Sequence, residues 1–322
     1  SVTQVEHGTN LRVQALPDVG YELVSLQANG QDIINDTVTV TGATEIVAMF
    51  AKLHTVTFTQ PAHGTLKVFH GESEIESGTQ VAHGTKLWIE VIPDTGYELV
   101  SLQANGQAVT NDTVTVTGAT EIVALFVKQQ FPVNFTQPAH GTLKVFHGET
   151  EIESGTPVEY GTNLRVETVA DTGYELASLK ANGQAVTNDT VTVTGVTEIV
   201  AVFTKQQFPV NFTQPAHGTL KVYNGETEIE SGVLVEYGTN LRVEALPGTG
   251  YKLVSLQANG QAIINDTVTV TGVTEIVAAF AKQQFPVNFT QPAHGTLKVF
   301  NGETEIESGT PVEYGTSLRV ET

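Results

Sequence analysis

Cysteine is absent from the 322 residues, which removes disulfides, thiolate metal sites and thiol nucleophiles together. Basic residues are scarce: 15 Lys and Arg stand against 35 Asp and Glu, for a formal charge of −20. A phosphate backbone is repelled by such a surface, so nucleic acid is not an expected partner. No stretch approaches the roughly 20 consecutive apolar residues of a membrane helix, and no membrane insertion is expected in this window. No window of about 10 residues carries an apolar stripe at helical spacing either. Methionine and tryptophan occur once each.

What fills the chain is repetition. PAHGTLKV begins at Pro61, Pro138, Pro215 and Pro292, a constant step of 77 residues. The Gly-Tyr pair at Tyr21, Tyr97, Tyr174 and Tyr251 recurs at 76, 77 and 77. The missing residue lies between Phe50 and Phe58, one shorter than Phe126 to Phe135. Length varies there alone, which places the domain boundary at that junction. The expected units are a back part at 1–52, complete repeats at 53–129, 130–206 and 207–283, and a front part at 284–322. The ends overlap in content, since the tail from Ser308 aligns with the start from Ser1.

Within a unit the apolar period is two. VNFTQ, GTLKVF, TNLRVET, YELASLKA, DTVTVTG and TEIVAVF are short and rich in β-branched and aromatic residues. Gly- and Asn-bearing turns separate them. The expectation is an all-β tandem array of small sandwich or barrel-like domains of about 77 residues, with six or so strands each. In NDTVTVTG the pleat puts Val38 and Val40 inward and Thr37, Thr39 and Thr41 outward. About four residues are left between the last strand of one unit and the first of the next. Pro132, Pro209 and Pro286 stiffen that tether, and Phe131, Phe208 and Phe285 are expected to pack against the adjacent unit. Four or so such units in line make an elongated rod on the order of 120–150 Å.

No constellation of catalytic type is present. His63, His140, His217 and His294 sit in the PAHG turn without an HxH, HExxH or GxSxG pattern around them. The glutamates of GETEIESG lack the DxDxDG loop that would wrap calcium and read as a solvated strand face. Lys67, Lys144, Lys221 and Lys298 alternate with inward Leu and Val and should face solvent. Trp88 stands in the outward slot that Arg165 fills in the next unit, which makes it a candidate exposed aromatic for a sugar or protein partner. Catalytic, cofactor and metal residues are therefore not assigned, and an enzyme is not expected.

FTQPAHGTLKVFHGETEIESGT (135–156), YGTNLRVETVADTGYELASLKANGQ (160–184) and TEIVAVF (197–203) resemble the divergent InlB B-repeat family of bacterial surface and secreted proteins. The resemblance runs over all units. It implies a module that spaces a functional tip from a cell-wall or secretion anchor, outside the cell, with no catalytic residues. It also bears on Asp36-Thr37-Val38, which is similar to an acceptor sequence for O-glycans on exported bacterial proteins. Thr37, Thr113, Thr190 and Thr267 are the candidate acceptors, once per unit. Three functions stay open at this level: a stalk or spacer of an adhesin or fibre, an array that binds glycan or host protein with multiplied avidity, and a subunit that joins other copies head to tail by strand exchange.

Overall fold

The computed structural model describes residues 3–322. Contacts divide the chain into two compact units. One holds the chain up to Asn134, the repeat at 54–130 included, with Ser154–Leu164 and Thr192–Thr197; the other holds Phe135–Glu153, Arg165–Val191 and Glu198–Thr322. Every element among the described residues is a strand.

The repeat at 54–130 shows the plan. Its strands are β1 (Ile46–Phe58), β2 (Gly64–His70), β3 (Ser73–Ile75), β4 (Gln80–Ala82), β5 (Lys86–Pro93), β6 (Tyr97–Ala104), β7 (Gln107–Ala108), β8 (Thr113–Thr115) and β9 (Thr120–Lys128). There are nine rather than the expected six or so, because short hairpin returns add β3 and β7 and an edge segment paired with β1 adds β4. One sheet has the order β8-β5-β2-β3, and the other brings β4, β1, β9, β6 and β7 together in that sequence. Their facing sides supply one core, with Leu66, Val68, Leu87 and Ile89 from the first sheet and Val56, Val81, Leu102, Ile122 and Phe126 from the second. The fold is a two-sheet sandwich, not a closed barrel. In the second unit, residues 207–282 repeat this plan strand for strand and bury Val210, Leu220, Val222, Leu241, Val243 and Ile276.

Period-two alternation explains the assignment. In Gly64–His70, Leu66 and Val68 are fully buried and Lys67 faces out, where it pairs with Glu90 at 3.4 Å. Val40 is buried and Thr39 exposed, as the NDTVTVTG pattern predicts. Polar groups are placed to close backbone gaps. The Gln60 side-chain amide donates to Leu66 O at 2.7 Å and its oxygen accepts from Leu66 N at 3.0 Å. The close approach at the start of β2 requires glycine: a Cβ on Gly64 would lie 2.6 Å from the Phe126 ring and 2.8 Å from Ile92 O.

All pairings inside this repeat are antiparallel except one. β1 and β9 run parallel, with Val56, Thr57 and Phe58 beside Thr120, Glu121 and Ile122. The chain therefore enters and leaves a repeat at opposite ends of the same sheet. Leu53 lies three residues before Val56, and Lys128 lies eight after Thr120. The eleven strand positions between them advance the chain by roughly 36 Å at about 3.3 Å per residue.

Candidate functional site: the repeat junction and the turns beside it

The tether between repeats is shorter than the sequence implies. One residue, Gln129, separates β9 from the next strand, Gln130–Phe135, and Gln206 does the same before Gln207–Phe212. At the first junction there is no break, since β1 runs unbroken from Ile46 to Phe58. The deleted residue identified from the sequence is thus the one that interrupts the strand elsewhere.

A short backbone relay crosses each junction. Gln129 N–H donates to Gly96 O at 2.8 Å, and Gln129 O accepts from Tyr160 N–H at 2.8 Å. Gly173, Gln206 and Tyr237 repeat this at 2.9 and 2.8 Å, and Gly250, Gln283 and Tyr314 at 2.8 Å in both bonds. The tyrosine ring then lies flat against the glycine of the preceding repeat. A Cβ on Gly96 would fall 2.1 Å from Tyr160 Cδ1, with 2.1 Å for Gly173 and Tyr237 and 2.0 Å for Gly250 and Tyr314. These glycines also carry φ near +80°, so two constraints exclude a side chain there. An exposed ion pair flanks each clamp: Lys128–Glu159 at 3.5 Å, Lys205–Glu236 at 3.5 Å and Lys282–Glu313 at 3.3 Å.

The ring on the preceding repeat is therefore that of Tyr160, Tyr237 or Tyr314, each of which stands in sequence only as the middle of a Glu-Tyr-Gly turn. Phe208, read as an interdomain contact, packs on the core of its own repeat. Phe131 is half-buried, and Phe285 is half exposed with its ring 6.5 Å from that of Tyr314. Pro132, Pro209 and Pro286 lie inside the strand rather than in a tether, opposite Pro157, Leu234 and Pro311. The signal for the tyrosine was present: a large aromatic recurs at the same offset from a Gly-Tyr pair in the unit before it.

The first junction is built differently. Leu53 N–H donates to Gly20 O at 2.8 Å and His83 N–H to Lys52 O at 2.7 Å, so the relay survives. No atom lies within 4 Å of a Cβ placed on Gly20. Histidine occupies the tyrosine position as His83, Ala82 stands at the glutamate position, and His54 takes the place of Phe131. His54 Nε2 and His83 Nδ1 are 3.2 Å apart, with ring centroids at 5.4 Å.

The Asn-Asp-Thr sequence is a turn. Asn111 and Asp112 have φ of 54° and 52°, and Asn265 and Asp266 have 54° and 53°. Thr110 and Thr113 form a bridge across them, as do Ile264 and Thr267. Two consecutive residues with positive φ between bridged partners make the mirror-image two-residue hairpin turn that Asn and Asp tolerate best. This supplies the reason for the acidic residue before the threonine. Thr37, Thr113, Thr190 and Thr267 are all exposed. Their hydroxyls donate locally, to Asn35 O, Asn188 O and Asn265 O at 3.0 Å in three copies and to Thr110 O at 3.5 Å in the fourth.

The remaining candidates resolve into packing. His63, His140 and His217 have φ near +66° and stack on Tyr97, Tyr174 and Tyr251 with centroids 4.1, 4.1 and 4.2 Å apart. Trp88 is 45% exposed and lies 5.0 Å from the Phe69 ring. Elsewhere the same slot holds an arginine over an aromatic, Arg165 on Phe146 at 4.2 Å and Arg242 on Tyr223 at 4.0 Å. Lys144, Lys221 and Lys298 pair with Glu151, Glu228 and Glu305 on the outer face. The hydrogen bond and charge of Glu228 hold the Lys221 ammonium above its ordinary pKa. No group of three or more potential metal ligands occurs among the described residues.

Comparison with curated proteins gives no match. The family model described as "Divergent InlB B-repeat domain" matches four times in tandem, at residues 1–53, 54–130, 131–207 and 208–284. Covering most of the sequence with successive copies of one module, these matches show that the chain belongs to the divergent InlB B-repeat domain family.

Proposed function

We propose that this chain is the non-catalytic spacer of a bacterial cell-surface adhesin or extracellular fibre, holding a functional tip away from its anchor. The observation that carries this reading is the parallel pairing of β1 with β9, which sends the chain in at one end of a repeat and out at the other. Each repeat then spans roughly 36 Å between its entry and its exit. Relays with little or no tether, and tyrosines seated on glycine, resist bending between neighbours. The test is small-angle X-ray scattering of the chain and of a variant lacking residues 131–207. A maximum dimension shorter by roughly 30–40 Å is expected, and an unchanged one rejects the spacer.

A second reading, a glycan- or host-protein-binding array, is favoured by the Trp88 and Phe69 rings, which offer an aromatic surface. Binding on a glycan or cell-surface panel that is lost in Trp88→Arg supports it, and no binding at high concentration ends it. A third reading is head-to-tail fibre assembly by strand exchange. The 3–53 segment leaves Ile46 exposed beside a cavity of about 920 Å³ also lined by Leu11 and Val40. The equivalent Ile122 is fully covered in the complete repeat. Light scattering that finds only monomer rejects this reading. O-glycosylation at Thr37, Thr113, Thr190 and Thr267 accords with their exposure. An intact mass of the protein from its native host equal to that of the bare sequence rejects it.

A further inference from the structure

His54 and His83 are 29 residues apart and belong to no spacing motif, yet the ladder aims them at each other. His54 is directly opposite Val81 across the β1–β4 pair, and His83 follows Val81 by two residues. Directly opposed residues share a face, which puts the His54 ring on the side of Val81. His83 is the first residue of the turn that leaves β4, and that turn brings its ring beside His54. Their backbones are held by Leu53 paired with Ala82, by His83 N–H on Lys52 O at 2.7 Å, and by Val56 N–H on Thr79 O at 2.9 Å. The facing atoms, His54 Nε2 and His83 Nδ1, are 3.2 Å apart. Two imidazole nitrogens bound at about 2.0–2.1 Å to a tetrahedral ion stand roughly 3.3 Å from one another.

We propose that His54 and His83 form a chelating pair for a divalent transition-metal ion of the zinc class. Imidazole suits zinc, copper and nickel and is a poor ligand for calcium or magnesium. Without metal, one ring donates its N–H to the other. When the ion binds, the donor ring changes tautomer, its proton passing through water to its far nitrogen, so that both facing nitrogens of the neutral imidazoles offer a lone pair. The pair supplies two ligands and water the rest, since no third His, Cys, Asp or Glu joins them among the described residues. The His83 ring is not seated on the glycine of the preceding repeat: the corresponding tyrosines lie against theirs, whereas no atom lies within 4 Å of a Cβ on Gly20. The other repeats close the same position with Phe131 and Tyr160, Phe208 and Tyr237, or Phe285 and Tyr314, so the site belongs to one repeat only.

Those other repeats also provide the control. The variant His54→Phe with His83→Tyr carries the residues that sister copies carry at these positions, and an unchanged circular-dichroism melt verifies that it folds. Isothermal titration of the full chain with zinc chloride in a non-chelating buffer is expected to show one more equivalent bound than in the double variant. The apparent affinity for that equivalent should fall at least tenfold in either single variant. The chain has nine histidines, and the double variant defines the background of the other seven. Identical isotherms for the chain and the double variant overturn the proposal, and so does a single variant that keeps the full site.

Discussion

The repeats at 54–130 and 208–284 share an interior and differ on the outside. Leu66, Val68, Leu87, Ile89 and Ile122 in one coincide with Leu220, Val222, Leu241, Val243 and Ile276 in the other, all at 1% exposure or less. Trp88 stands on the outer face where the other repeat has Arg242, and at the junction His54 and His83 occupy the positions of Phe208 and Tyr237. A sandwich this small tolerates surface change freely, because the pleat directs alternate residues away from the core. The module's stability is therefore set by one half of each strand, and its chemistry is free to vary on the other half.

The most disruptive way to test that equivalence is to cut the core at matched positions. Leu66→Ala and Leu220→Ala each remove a fully buried side chain and should each cost about 2–5 kcal/mol. The measurement is denaturant unfolding of the full chain, followed as separate transitions. If one substitution costs less than half as much as the other, the two cores do not pack alike.

Smaller, and opposite in lesson, is the effect at the junction glycines. Alanine at Gly20 or at Gly250 must adopt positive φ, at roughly 1–2 kcal/mol. At Gly250 it must also push away the Tyr314 ring, a further 1–3 kcal/mol or so. Gly250→Ala should thus be the worse of the two. Equal melting shifts would mean the tyrosine clamp adds no rigidity.

Sequence made the architecture legible and the junction much less so. Period-two alternation in GTLKVF and TEIVAVF reports burial directly, so Leu66, Lys67 and Val68 were assignable from spacing alone. The step of 77 residues gave the repeat. What spacing does not report is a contact made once per repeat across a boundary. Phe131 and Phe208 look like interface residues because they begin a unit, and pairing beside Val158 and Val235 turns them toward their own fold. Tyr160 looks like a turn residue, and the relay through Gln129 carries it onto Gly96. Asp36 and Asp112 stand out in the sequence as part of a possible acceptor motif, while their backbone angle is not visible there. Positive φ at both Asn and Asp makes them the corner of a hairpin.

An exchange at the varied slot should cost less again. Arg242→Trp copies Trp88 and replaces a guanidinium on Tyr223 with a ring beside it. Both arrangements are worth about 0.5–1.5 kcal/mol, so the unfolding free energy should move by less than about 1 kcal/mol. A larger loss would show that the outer face is not freely exchangeable.

The smallest expected effect separates the junctions by charge. Lys282 and Glu313 pair at 3.3 Å with side chains 47% and 53% exposed, whereas Ala82 takes the glutamate's position beside Lys52. Water and salt screen such a pair, which limits its worth to about 0–1 kcal/mol. Lys282→Met should therefore destabilise slightly at low ionic strength and not at all in molar salt, and Lys52→Met should do neither. A double-mutant cycle with Glu313→Gln isolates the coupling, because each single change also alters net charge on a chain that already carries −20. A coupling above about 1 kcal/mol would assign the stiffness of the junction to the ion pair in place of the relay and the tyrosine ring. The clamp would then weaken with salt, and a salt-independent scattering dimension would return the role to the ring.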